Sequence, residues 1–203
     1  MYLYKLIHPD WEEDWWITYL ESDPDRYFEI EDKYIYALTT IIKSCGYETL
    51  NVRYLINHDT LEYILDSGIY YPIDSEFKEW DIQYYEDCTS RFPDKYPESM
   101  RQLYRNLIDG LSLDINQIED AYRLKLRNHI YLMLHSEYEY VIDTPTEYVY
   151  FLCNKPMDDS LIKHINESDM IFEICDEWEY NDVYPSIEEH YEEGQIYFLT
   201  KPE

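Results

Sequence analysis

Between His164 and Thr200 the chain carries eleven carboxylates and not one Lys or Arg. The acids are Glu167, Asp169, Glu173, Asp176, Glu177, Glu179, Asp182, Glu188, Glu189, Glu192 and Glu193. Phe172, Ile174, Trp178, Tyr180, Val183, Tyr184, Ile187 and Tyr191 are interspersed among them. A disordered acidic tail is poor in aromatic and β-branched residues. This mixture instead predicts folded structure with a heavily negative exterior. A second negative region runs from Leu6 to Asp25, with seven acids, Asp10, Glu12, Glu13 and Asp14 among them, and no Lys or Arg.

The whole chain repeats the imbalance: 44 acids against 16 bases give a formal net charge of -28. Charge of that size opposes compaction and disfavours anionic partners. Nucleic-acid backbones and acidic membrane surfaces are recognised through Lys and Arg, so direct binding to DNA, RNA or membrane is excluded as an expectation. Cationic partners fit: a basic protein groove, a basic toxin or metal ions. Only two Ala and four Gly accompany abundant Ile, Tyr and Glu, a bias typical of AT-rich coding. Such coding enriches Lys, yet Lys is scarce here, so the acidity reads as selected, with plain solubility or salt adaptation as the bland alternatives.

At 203 residues, with 45% hydrophobic and 18% aromatic content, one packed domain over 1-203 is expected. The segment RFPDKYP (91–97) is the candidate internal break, because its two prolines bracket a polar turn. Many of the aromatics are Tyr, 25 in all. Tyr suits half-wet positions, since its ring buries apolar area while its hydroxyl keeps a partner. Cys45, Cys88, Cys153 and Cys175 form no C-x-x-C pair. The N-terminal residues do not read as a signal peptide, and no apolar run reaches the length of a membrane span. A cytoplasmic protein with reduced thiols is the expectation.

Element by element, Tyr2 to Ile7 alternates as a strand, and Asp10 to about Leu20 reads as a helix with acids at its positive end. Asp23, Pro24 and Asp25 punctuate the chain before a helix from about Ile30 to Ser44, stopped by Gly46. A short extended piece over Asn51 to Leu55 precedes helices from Asp59 to Gly68 and from Ser75 to about Cys88. Further helices follow from Glu98 to about Asp109 and from Ile115 to about His135, the latter opened by a capping box of Asp114 with Gln117. Arg91, Lys95, Arg101, Arg105, Arg123, Lys125 and Arg127 make this middle region nearly neutral and predict helices packed against acidic neighbours. Beyond Glu139 strands return: Tyr148 to Cys153, Met170 to Cys175 and Gln195 to Thr200, separated by helices at Asp158 to Ile165 and Ser186 to Glu193. The class predicted is α+β, with a helical middle region and a small mixed sheet built mainly from the C-terminal third and completed by the N-terminal strand.

Three kinds of chemistry are available to such a chain. On a helix from Ser186, Glu188 and Glu189 recur one turn later as Glu192 and Glu193. A four-residue helical step advances about 6 Å, comparable with the path between phosphates along one strand, whose axial step is about 3.4 Å. Like charges so placed cost a helix a few tenths of a kcal/mol per pair, which a basic partner would offset; a solvated helix face is the simpler explanation. Trp178, Tyr180, Tyr184 and Tyr191 are the expected anchors beside Glu173, Asp176, Glu177, Glu179 and Asp182, or else plain core. A metal site is the second possibility, because Asp176, Glu177, Glu179 and Asp182 offer oxygen ligands, but the twelve-residue calcium-loop pattern is absent. The six His fall in no zinc-type spacing. Third, paired carboxylates for sugar hydrolysis occur in any acidic chain, while G-x-S-x-G and glycine-rich phosphate loops are missing.

In composition and size the chain resembles the acidic DNA-mimic inhibitors that phages and mobile elements use against restriction or CRISPR enzymes. It also resembles acidic immunity proteins that neutralise basic nuclease toxins. The resemblance is one of class and rests on no shared motif. It implies a non-enzymatic, cofactor-free inhibitor whose acidic face occupies the basic groove of a nucleic-acid-processing defence enzyme. A toxin-capping immunity protein is the alternative, and a metal-dependent enzyme the third.

Overall fold

A computed structural model describes residues 1–9, 20, 22–57, 86–105, 112–127, 130–136, 140–144 and 148–199. The helices expected at Asp10–Leu20 and Asp59–Gly68, and most of that at Ser75–Cys88, lie outside the described residues, though 86–91 is helical.

Among the described residues seven strands form one sheet in the order β3-β2-β4-β5-β6-β1-β7. They are β1 (Tyr2–Ile7), β2 (Thr49–Asn57), β3 (Ser112–Asp114), β4 (Ile130–Ser136), β5 (Tyr140–Thr144), β6 (Val149–Cys153) and β7 (Ile171–Ile174). Every neighbouring pair is antiparallel. The α+β class therefore stands, but the sheet is larger than expected, antiparallel throughout, and drawn from the whole chain. The N-terminal strand is not at its margin: β1 lies between β6 and β7, pairing Tyr4 with both Phe151 and Ile174.

Alternation along each strand divides the core in two. Tyr4, Leu6, Leu132, Leu134, Ile142 and Phe151 face one way; Leu3, Tyr131, Met133, Val141, Tyr150 and Leu152 face the other. Helices α1 (Pro24–Ser44), α3 (Ile115–Arg127) and α4 (Asp159–Asn166) supply buried side chains to the first side. Helix α5 (Glu177–Leu199) covers the second with Ile187 and Tyr191. All five residues of β5 and of β6 are buried, as expected of strands covered on both faces. Helix α2 (Glu98–Arg105) follows a 3-10 turn at Pro93–Lys95.

Two expectations fail here. The helix from Ile115 stops at Arg127, and Ile130–Ser136 is strand β4. Ile-Tyr-Leu-Met-Leu is a continuous apolar run, which carries no period to separate a buried strand from a buried helix. The strand expected at Gln195–Thr200 is also absent up to Leu199, because α5 runs helically from Glu177 through Pro185 and Gly194. Ser186 therefore lies inside a helix and caps nothing. A proline within a helix costs about 3 kcal/mol, but Tyr180, Val183, Tyr184, Ile187 and Tyr191 fall on one helical stripe that packs on the sheet, and this burial holds the helix together across Pro185.

Helix α1 starts earlier than expected because the Asp23 side chain accepts from Arg26 N at 3.3 Å and Pro24 occupies the first turn. It ends as predicted, with Gly46 at φ 83. The reciprocal box at α3 is present: Asp114 Oδ1 accepts from Gln117 N at 3.0 Å, and Gln117 Oε1 accepts from Asp114 N at 3.0 Å.

Between α1 and α3 lies a buried ion pair. Arg127 and Glu31 are each 1% exposed and are joined by two hydrogen bonds from the guanidinium to the carboxylate. Arg127 also donates to the Lys95 carbonyl at 2.6 Å and lies over the Tyr96 ring at 4.8 Å. One side chain thus ties α1, α3 and the 93–96 turn together.

Among the described residues β7 is an edge of the sheet, and that edge is partly plugged. Asn166, at the end of α4, accepts from Phe172 N at 2.6 Å and donates to Phe172 O at 3.1 Å, mimicking a neighbouring strand at one residue and blunting an edge that would otherwise template pairing. Replacing Asn166 with Ala leaves both backbone groups without partners and should cost about 1–3 kcal/mol. A denaturant titration of Asn166→Ala against wild type measures it; an unchanged midpoint would show that the plug carries no stability.

Candidate partner-binding surface

The acidic residues of the C-terminal region divide by what the fold asks of them. Asp176 ends the turn after β7 and accepts from Glu179 N at 2.8 Å, while its carbonyl accepts from Tyr180 N at 2.9 Å. It is the N-cap of α5. Glu173 and Glu179 converge from β7 and α5 on Lys5 of β1, at 3.4 and 2.9 Å. Burial pulls the Lys5 ammonium down, and the two carboxylates more than reverse it, so its pKa is raised. These three acids are therefore occupied within the protein.

Glu177 and Asp182 are exposed, and among the described residues no Lys, Arg or His lies within ion-pair distance of either. Glu188 is half-buried and accepts from Tyr184 OH at 3.0 Å. Glu189, Glu192 and Glu193 lie on the α5 backbone, one turn apart as the spacing predicts; their side chains lie outside the described residues. So do Asp10, Glu12, Glu13 and Asp14.

The aromatic anchors also separate. Trp178, in the first turn of α5, is 77% exposed. Tyr180 and Tyr184 stack on each other with centroids 5.2 Å apart and planes 6° apart, half-buried against the sheet. Tyr191 is buried in the second core, its ring edge-on to His135 at 5.2 Å. Only Trp178 stands free as an anchor. The remaining Tyr serve packing.

Two features of this region were not visible in the sequence. Met1, Tyr2, Leu3, Ile174, Cys175 and Tyr180 help line a recess of about 390 Å³ beside the start of α5, together with Asp176 and Glu177. The second is Asp143 of β5, fully buried on the side of the sheet that α5 covers and accepting a hydrogen bond from Tyr131 OH. Burial pushes its pKa up to about 7, against the opposing pull of Tyr131, the Thr144 backbone and the Lys125 charge.

Possible metal ligands do not assemble. Asp176 caps α5 and Glu179 holds Lys5, and among the described residues no three His, Cys, Asp or Glu converge on an ion-sized site. Among the same residues no helix is long and apolar enough to cross a membrane. Comparison of the chain with protein-family models, curated proteins and solved structures finds no match.

Proposed function

We propose that the protein is an acidic inhibitor that imitates nucleic acid and occupies the basic groove of a nucleic-acid-processing defence enzyme of the restriction or CRISPR type. The observation that carries this reading is the use of positive charge. Lys5, Lys33, Arg101, Arg123, Arg127 and Lys163 are each paired with a carboxylate of the same chain. Glu177 and Asp182 have no such partner among the described residues. With a net charge of -28, the outward field is negative, and these six cations are engaged within the chain. Such a field speeds encounter with a basic groove and repels competing anions. The role is binding in the cytoplasm, and no catalytic step is assigned.

The exposed Trp178 supports a second reading, an immunity protein capping a basic nuclease toxin. Interface energy concentrates in buried aromatic anchors, and an indole imitates nothing in a phosphate backbone.

Charge reversal tests the common physics. In a verified complex, Glu177→Lys with Asp182→Lys should weaken binding at least about tenfold at low salt and flatten its salt dependence. Glu188→Lys with Glu192→Lys should add to that loss if the helix face is the contact. Surface plasmon resonance across a salt series reads both; unchanged affinity in all four-site combinations would remove α5 from the interface.

A further inference from the structure

Exposed apolar side chains are concentrated at one corner of the molecule. Of the large hydrophobic residues that are exposed among those described, Met1 (44%) and Tyr2 (38%) stand at the start of β1, Ile174 (55%) at the end of β7 and Trp178 (77%) in the first turn of α5, with Ile171 (38%) at the far end of β7. Tyr36 lies elsewhere, against His164. Single exposed apolar residues are ordinary; a cluster rimmed by charge marks an interaction surface.

The backbone adds direction. Cys175 N donates to Leu3 O at 2.9 Å, so in the β1–β7 ladder the groups of residue 175 and, by alternation, of 173 point toward β1. Those of Phe172 and Ile174 point outward. Asn166 satisfies Phe172. The N–H and C=O of Ile174 face the free edge, since among the described residues no strand lies beyond β7. The recess of about 390 Å³ opens beside them, with Asp176 and Glu177 on its lining.

We infer that this corner takes an extended segment of a basic protein, with one aliphatic side chain in the recess between Tyr2 and Ile174 and a flanking Lys or Arg on Glu177. The segment hydrogen-bonds to the Ile174 backbone. Charge complementarity selects this occupant. A second copy of the chain would bring -28 against -28, and an acidic or neutral peptide gains nothing from the rim. Backbone pairing supplies general affinity and the side-chain recess supplies selectivity, as in other strand-edge recognition. Asn166 limits that pairing to the Ile174 end of β7. The inference rests on the reading of a cationic protein partner and adds where the partner is gripped and by what kind of residue.

Two synthetic peptides test it: five residues with four Lys around a central Leu, and the same peptide with Ser at the centre. Binding is followed by Trp178 indole and Ile174 methyl resonances in NMR titrations at low and moderate salt. Burying one leucine side chain should favour the Leu peptide about tenfold. The preference should vanish in Ile174→Ser, an exposed position whose replacement leaves the cores intact. Equal binding of both peptides, with shifts weakening in salt, would overturn the recess while leaving the acidic-surface reading standing. No binding of either peptide at low salt would overturn both. Concentration-dependent dimerisation of the free chain that Ile174→Ser abolishes would assign the corner to a second copy and overturn the inference.

Discussion

Glu31→Ala should destabilise the protein by about 3–5 kcal/mol, because it strands the Arg127 guanidinium in the core. Arg127 and Glu31 are each 1% exposed, so neither charge recovers water when its partner is lost. The guanidinium retains the Lys95 carbonyl at 2.6 Å and the Tyr96 ring at 4.8 Å. Neither contact carries the negative charge that Glu31 supplies. The nearby Arg123 leans on Glu31 at 3.9 Å and on Asp32 at 3.2 Å, so the variant also leaves two cations close together. In thermal unfolding the midpoint should fall on the order of 10 °C for a chain of this length. Replacing both partners by apolar residues, Glu31→Leu with Arg127→Met, should recover much of the loss, since a pair removed whole leaves no uncompensated charge. If the single and double variants were equally unstable, the loss would lie in packing and not in the ion pair.

Asp143→Asn should stabilise the protein above pH 7 and remove part of its pH dependence. Burial raises the Asp143 pKa from 3.8 to about 7. With the folded pKa above the unfolded one, the native state binds the extra proton between these values. Stability contributed by this group is therefore full below about pH 4, declines as pH rises toward 7, and stays low above it. Each pKa unit corresponds to about 1.4 kcal/mol, so the cost of ionising the buried group is a few kcal/mol. Asn keeps an oxygen to accept from Tyr131 OH and carries no charge. Urea titrations of both proteins between pH 5 and pH 8.5 should give curves that diverge as pH rises. Parallel curves would mean that Asp143 is ionised without penalty. The comparison is needed because the surface acids also repel less when protonated, and that slope is common to both proteins.

Much of the local structure was legible because its signals are local. The strand at Tyr2–Ile7, the stop of α1 at Gly46, the Asp114–Gln117 box, α4, β6 and β7 each announce themselves within a few residues. Where the reading failed, a tertiary cause is identifiable. Strand β4 is apolar on both faces because α3 and α5 cover opposite sides of the sheet, which erases the alternation a strand normally shows. Pro185 and Gly194 normally end helices, so the sequence predicts a cap at Ser186 and a strand from Gln195 where α5 in fact continues. The stripe from Tyr180 to Tyr191 spanned the first of them and was the stronger signal.

The surface was legible in composition and not in detail. Trp178 proved exposed and Tyr191 buried, although both were expected in the same role. The neutralisation of Glu173 and Glu179 depends on Lys5, which lies 174 positions from Glu179 in the chain. No spacing rule reaches that far. The recess likewise exists only because β1 is inserted beside β7, bringing Met1 and Tyr2 to Ile174.

In the proposed role the negative surface substitutes for nucleic acid in a basic protein groove. The most direct measurement is a pull-down from host lysate with the tagged chain, eluted by a salt gradient and challenged with added DNA or RNA before mass spectrometry. The account predicts recovery of a nucleic-acid-processing enzyme that elutes at moderate salt and is displaced by the nucleic acid. A blank column, repeated with candidate nucleases and toxins expressed, or a partner that added nucleic acid leaves in place, would contradict it.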